Sequence, residues 1–123
     1  MFTVDSRDKR PIYQQIVDNV VLLVTTGVWN EGDKLPSIRS MAQDLGVNAN
    51  TVARAYTDLE YKNIIETAPQ RGSFVTGEGV REELIASVKE DTAELVEKFT
   101  QMGVEVDELR EIMEAELENA KDK

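Results

Sequence analysis

The chain has 123 residues, 41% of them hydrophobic, with a formal charge of −10 and neither cysteine nor histidine. Its length fits one ordinary domain, or a small domain with an appendage, and its apolar content supports a modest core. Disulfides, thiolate nucleophiles, cysteine-ligated zinc and histidine acid–base chemistry are excluded, and no apolar run reaches membrane-spanning length.

Met1–Asp5 has no basic stretch followed by an apolar one, so it does not read as a signal peptide, and a cytoplasmic protein is expected. The charge is uneven. Residues 1–77 hold eight Lys and Arg against nine Asp and Glu, while residues 78–123 hold six against fifteen. The first part is nearly neutral and can present a basic face. The second should face away from phosphate. The change marks a boundary near Gly77-Glu78-Gly79, which reads as a hinge between domains at 1–77 and 78–123.

Residues 1–10 carry Arg7, Lys9 and Arg10 and read as an extended arm, either a solvated leader or a contact to backbone phosphate. Pro11 suits the first position of a helix. Ile12, Ile16, Val20, Leu23 and Val24 then recur at helical spacing, widened by Val17, Val21 and Leu22, so an amphipathic helix should run to near Gly27. Tyr13-Gln14-Gln15 is assigned a structural role. The connector 27–34 contains the single Trp29, expected to anchor this loop on the core.

Leu35 to Tyr56 reads as two helices and a tight turn. Ser37 caps the first, which carries Ile38, Met41, Ala42 and Leu45; Gly46-Val47-Asn48 turns; the second, about 49–61, buries Val52, Ala55, Tyr56 and Leu59. This is a helix-turn-helix, whose second helix can enter a DNA major groove. Asn63 can end that helix in the left-handed conformation. Strands at 64–68 and 73–76, joined by Pro69-Gln70-Arg71-Gly72, make a hairpin wing that must pack on the helices through Ile64 or Ile65 with Phe74.

Arg81–Met102 forms one apolar stripe, with Leu84, Ile85, Val88, Leu95, Val96, Phe99 and Met102. After Gly103 a second helix runs from Asp107, its expected N-cap, through Leu109, Ile112, Met113, Ala115 and Leu117 to about Ala120. The fold class is therefore mainly α with a small β-wing: an N-terminal winged helix-turn-helix followed by an antiparallel helical hairpin. The hairpin leaves apolar surface over, which folds back on the first domain in a monomer or pairs in a two-fold dimer. The dimer is the expected use, through Leu84, Val88, Leu95, Phe99, Met102, Leu109, Ile112 and Met113.

The polar residues around the helix-turn-helix suit DNA. Ser37 and Arg39 stand at the start of its first helix, where amides and a cation favour phosphate. Asn48, Asn50 and Thr51 stand at the N-terminal end of the second, the part of a recognition helix that reaches base edges. Asn pairs with adenine and Thr with several edges. Arg54 follows one turn on and can reach guanine or phosphate. At the wing tip Gly72 permits close approach and Arg71 can enter a minor groove. Each also has a plain structural reading as a cap, a turn or a solvated cation. The carboxylate pairs Glu82-Glu83 and Glu90-Asp91 and the series Glu114, Glu116, Glu118 read as solvated helix faces, so no enzyme, cofactor or metal site is expected.

Three segments together, Gly32–Arg39, Leu45–Val52 and Arg71–Val75, resemble the winged-helix domain of GntR-type bacterial transcription regulators. Pro11–Ile16 and Asn50–Tyr56 resemble the YtrA-like subfamily in particular. The resemblance implies DNA contacts from the positions of Arg39, Asn48, Asn50, Thr51 and Gly72, and control of transporter genes. Many members carry Arg where this chain has Ala49 and Ala53, so a guanine-rich operator does not transfer, and Asn63 replaces a usual Gly. The expected function is a dimeric repressor on a pseudo-palindromic double-stranded DNA operator, with no membrane partner. A small-molecule effector is left open, since the hairpin shows no evident pocket of the usual size. The alternatives are a winged-helix protein-interaction module with an acidic partner-binding tail and, more remotely, an RNA-binding role.

Overall fold

Helical apolar spacing builds α1 (Ile12–Thr25), and its inward residues Gln15, Ile16, Val17, Val20 and Val21 are buried. The computed structural model describes residues 2–122. After α1 come α2 (Ile38–Leu45), α3 (Ala49–Tyr61), β1 (Ile65–Ala68), β2 (Gly72–Val75), α4 (Val80–Gln101) and α5 (Val106–Lys121). The architecture is the expected winged helix-turn-helix with a two-helix hairpin. The chain divides into two compact units, Met1–Glu83 and Leu84–Lys123. That division falls inside α4, past the glycines where the charge changes.

In the first unit α3 packs against α1, α2 and β1. One core joins Ile16, Val17 and Val20 of α1 to Met41 of α2, Val52, Ala55, Tyr56 and Leu59 of α3, and Ile64, Ile65 and Val75 of the wing. Trp29 is partly buried against this cluster, as expected of a loop anchor. Leu22, expected to widen the α1 stripe, is instead 57% exposed.

The wing strands are antiparallel, with Ile65 opposite Val75 and Ala68 opposite Gly72. Residues 32–35 run along the free edge of β2. The Leu35 amide donates to the Ser73 carbonyl at 2.8 Å, and the Val75 amide donates to the Asp33 carbonyl at 2.9 Å. This added edge explains how so short a hairpin stays paired. It also corrects the expected packing. Val75 is buried and Phe74, on the other face of the pleat, is only partly so. Ile64 and Ile65 are both buried, because Ile64 precedes β1 and tucks beneath the helices.

Three further expectations are corrected. Pro11 is the N-cap of α1, with extended backbone, rather than its first helical residue. Glu105, not Asp107, precedes α5; the Glu108 carboxylate accepts from its amide at 3.3 Å, and Asp107 lies in the first turn. Gly79 is buried, its amide donates to the Asn63 carbonyl at 2.9 Å, and a Cβ there would collide with the Lys62 carbonyl. Close packing, not hinge freedom, requires glycine at that position.

In the second unit α4 has no buried residue, and α5 buries only Leu109. An open apolar groove of about 610 Å³ is lined by Leu95, Phe99, Val104, Leu109, Ile112 and Met113. It falls within the ordinary range for ligand sites, contrary to the expectation of no such pocket. The two stripes cover one another only in part, as expected, and Leu109 is the one residue of the pair that is buried.

Candidate nucleic-acid interface

The helix-turn-helix is set by its caps. Ser37 precedes α2 with extended backbone, and its hydroxyl accepts from the Ser40 amide at 3.0 Å. Gly46 ends α2 in the left-handed conformation. Asn48 then starts α3, its side-chain oxygen accepting from the Asn50 amide at 2.7 Å. Ser37 and Asn48 each satisfy an amide that the first helical turn leaves free, and the Gly46 amide donates to carbonyls of the last turn of α2. A longer tie fixes the helices to each other: the Tyr56 hydroxyl donates to the Pro36 carbonyl at 2.6 Å. Burial pushes that phenol well above its ordinary pKa, so it stays a donor at any physiological pH.

These caps separate the expected contact residues. Asn48 has its side-chain oxygen bonded to the Asn50 amide, which holds that side chain at the start of α3 and leaves one lone pair and the amide nitrogen unused. Asn50, one turn-position further in, is exposed and makes no side-chain hydrogen bond among the described residues. Thr51 is partly buried at the same helix end. Ser37 is exposed, with its hydroxyl proton still available as a donor. Arg39 projects from the first turn of α2 and is exposed. Arg54 lies one turn beyond Asn50 on α3, its guanidinium 3.8 Å from the centroid of the Tyr13 ring.

At the wing tip Arg71 is exposed in the turn, and its amide donates to the Ala68 carbonyl at 3.0 Å. Gly72 has φ 109°, and a Cβ there would stand 2.7 Å from Lys34 Cε. The positive φ of the turn is what calls for glycine here, since the Lys34 stem can move aside. Lys34 was not singled out from the sequence. Its proximity depends on residues 32–35 pairing with β2, a long-range contact that no local spacing reveals.

The ion pairs sort the cations of this unit. Arg7 pairs with Asp5, Arg10 with Asp8 and Asp18, and Lys62 with Asp58 and Glu83. Hydrogen bonds from Arg10 hold the Asp8 carboxyl below its ordinary pKa. Gln15 finishes the arm: its oxygen accepts from the Asp5 amide, and its nitrogen donates to the carbonyls of Asp5 and Arg10. The backbone of the arm is thus pinned to α1 at Asp5 and Arg10. Among the described residues Lys9, Lys34, Arg39, Arg54, Arg71 and Arg81 form no ion pair.

A capped helix-turn-helix followed by a braced wing, with its unpaired cations on the helices and wing tip, defines a winged-helix protein of the DNA-binding class. Residues 12–75 match the family described as "Bacterial regulatory proteins, gntR family". The HTH-type transcriptional repressor YtrA of Bacillus subtilis (strain 168) is 36% identical over 115 residues, covering 90% of this chain and 88% of that protein. A transcriptional regulator from Oenococcus oeni has the same fold at TM-score 0.74 and 33% identity, over 93% of this chain and 97% of that one. The DNA-binding domain of AraR, solved in complex with an operator, shares the fold at TM-score 0.58 and 20% identity, over 62% of this chain and 96% of that one. The chain belongs to the GntR family of bacterial regulatory proteins and is a DNA-binding transcription regulator of the YtrA-like kind. Among the described residues no helix is long and apolar enough to cross a membrane.

Proposed function

We propose that this regulator acts in the cytoplasm as a homodimeric repressor, with α3 of each copy in the major groove of one half of a pseudo-palindromic operator and each wing near the backbone or minor groove. Residues 1–77 are the DNA-binding part and residues 78–123 the dimerisation tail. The half-sites are then about one helical turn apart, roughly 34–36 Å. Ser37, Arg39, Lys34, Arg71 and Gly72 position the protein on phosphate. Asn50, Thr51 and Arg54 read bases, while Asn48 fixes the start of α3. Repression is favoured by the relative that bears that name.

The observation that carries this reading is the placing of the unpaired cations. Acidic partners engage Arg7 and Arg10 of the arm and Lys62 at the end of α3, while Arg39 on α2, Arg54 on α3, Arg71 at the wing tip and Lys34 on the strand edge beside it form no ion pair among the described residues and are left to an external anion. Dimerisation is supported by the apolar residues that the tail leaves uncovered, among them Val88 at 59%, Met102 at 71% and Ile112 at 53% exposed. Leu84, Leu95, Phe99 and Met113 complete that surface, and Leu109, already buried within the hairpin, supports it from beneath.

The test begins with capture and sequencing of genomic fragments by the purified protein, which gives the operator. Titrations at fixed salt then compare Arg39→Ala and Arg54→Ala with the wild type. Both variants should bind the operator about tenfold more weakly while still melting cooperatively, with only a small shift for Arg54→Ala from the lost Tyr13 contact. Undiminished affinity in either would remove that residue from the interface.

A further inference from the structure

Arg54 is exposed and forms no ion pair or hydrogen bond among the described residues, yet it is not free to swing. Its guanidinium carbon lies 3.8 Å from the centroid of the Tyr13 ring, at the start of α1. We propose that Tyr13 is a positioning residue for DNA reading, holding the Arg54 guanidinium flat so that its edge is presented to a guanine in the major groove. The proposal rests on the reading of α3 as the recognition helix.

The chemistry of the stack supports this division of labour. A cation–π contact uses the face of the guanidinium, whereas its N–H donors lie in its plane. Stacking therefore leaves the donor edge available. An exposed arginine explores many rotamers, and ordering it on binding weakens affinity; the ring does much of that ordering beforehand. The ring is itself held. Tyr13 is partly buried against the core, and the neighbouring Gln15 is clamped to the backbone of Asp5 and Arg10.

A fixed plane matters most for a contact that needs orientation. The guanine O6/N7 edge accepts two parallel bonds from arginine, while a phosphate accepts a cation from many directions. Arg54 is also the only cation of α3, and its neighbours Ala49, Asn50 and Ala53 are short. The long reader of this helix is then a single side chain, and its aim depends on a residue from another helix.

The experiment selects binding sequences from randomised duplexes with the wild type, Tyr13→Phe, Tyr13→Leu, Arg54→Lys, Arg54→Ala and the Tyr13→Leu/Arg54→Ala double variant. Affinities for the selected operator are then measured over a range of salt. The wild type and Tyr13→Phe should select guanine at the same position of each half-site. Tyr13→Leu should lose that preference, on the order of tenfold to a hundredfold, with its salt dependence unchanged. Arg54→Lys, which leaves α1 intact but cannot present a fork, should lose it equally. In the Arg54→Ala background, Tyr13→Leu should have no further effect.

A loss that persists in that background would show that Tyr13 acts by itself and overturn the proposal. So would a uniform loss for all sequences with a shallower salt slope, the mark of a phosphate contact. If Tyr13→Leu fails to fold, Tyr13→Phe and Arg54→Lys still decide: loss with the first, or retained guanine preference with the second, overturns it. Both outcomes presuppose sequence-specific binding by the wild type. Its absence would instead remove the recognition-helix reading, and the proposal with it.

Discussion

Tyr56 is the residue on which the geometry of the helix-turn-helix most depends. It fills the core with its ring and ties the entrance of α2 to α3 through the Pro36 carbonyl. Tyr56→Phe keeps the ring and leaves that carbonyl without its partner. A cost of about 1–3 kcal/mol is expected in denaturant unfolding, with a native-like circular dichroism spectrum. The two asparagines make a complementary case. Asn48→Ala removes a cap and should cost about 1 kcal/mol of stability; Asn50→Ala should leave stability unchanged and weaken operator binding. A thermal melt and a titration of both variants separate the roles, and a reversed pattern would exchange them. The sequence offered both residues as readers and Asn48 also as a cap. Only the hydrogen bond from the Asn50 amide to the Asn48 side chain distinguishes them.

At the scale of elements, helix faces followed from local spacing, whereas helix starts at Pro11 and Glu105 and the parity of the wing did not. The spacing of Val52, Ala55, Tyr56 and Leu59 placed α3, because a helix face is a local property. In a four-residue strand a one-residue shift reverses the faces, and the register that buries Val75 rather than Phe74 comes from pairing with residues 32–35. A second non-local tie is Lys62, at the end of α3, which bonds Asp58 and Glu83 at 3.1 Å each. Partial burial disfavours its ammonium, but the bonds to Glu83 and Asp58 outweigh that and lift its pKa above the ordinary value. An amine raised on folding stabilises the protein fully below its unfolded pKa, about 10.4, and loses that contribution as pH rises through the folded value. Lys62→Met should therefore be less stable than the wild type at pH 7, by about 1 kcal/mol. The gap should close as pH is raised beyond about 10.4. Urea unfolding of both proteins across that range is the measurement, and a gap independent of pH would falsify the ion-pair account.

For the molecule as a whole, the sequence showed more apolar side chains in its tail than a lone hairpin can use. It did not show how little the two helices cover of each other. That depends on how the short turn at Gly103 joins α4 to α5, which no periodicity encodes. The result is a groove walled by Leu95, Phe99, Ile112 and Met113, beside a Leu117 that is 65% exposed. Each such side chain gains roughly 1.5–3 kcal/mol when fully buried, so a second tail is a strong occupant. Ile112→Glu tests this without disturbing the core, since Ile112 is 53% exposed. In a dimer its carboxylate would have to be desolvated without a partner, which disfavours association. Sedimentation equilibrium should find the wild type dimeric and the variant monomeric, with helix content preserved. The same change should spare binding to an isolated half-site and weaken binding to the full operator by about a hundredfold or more, because the second half-site is no longer engaged at high effective concentration. A variant that remains dimeric would place the interface elsewhere on the chain. A monomeric variant that still binds the full operator at wild-type strength would detach dimerisation from operator recognition altogether.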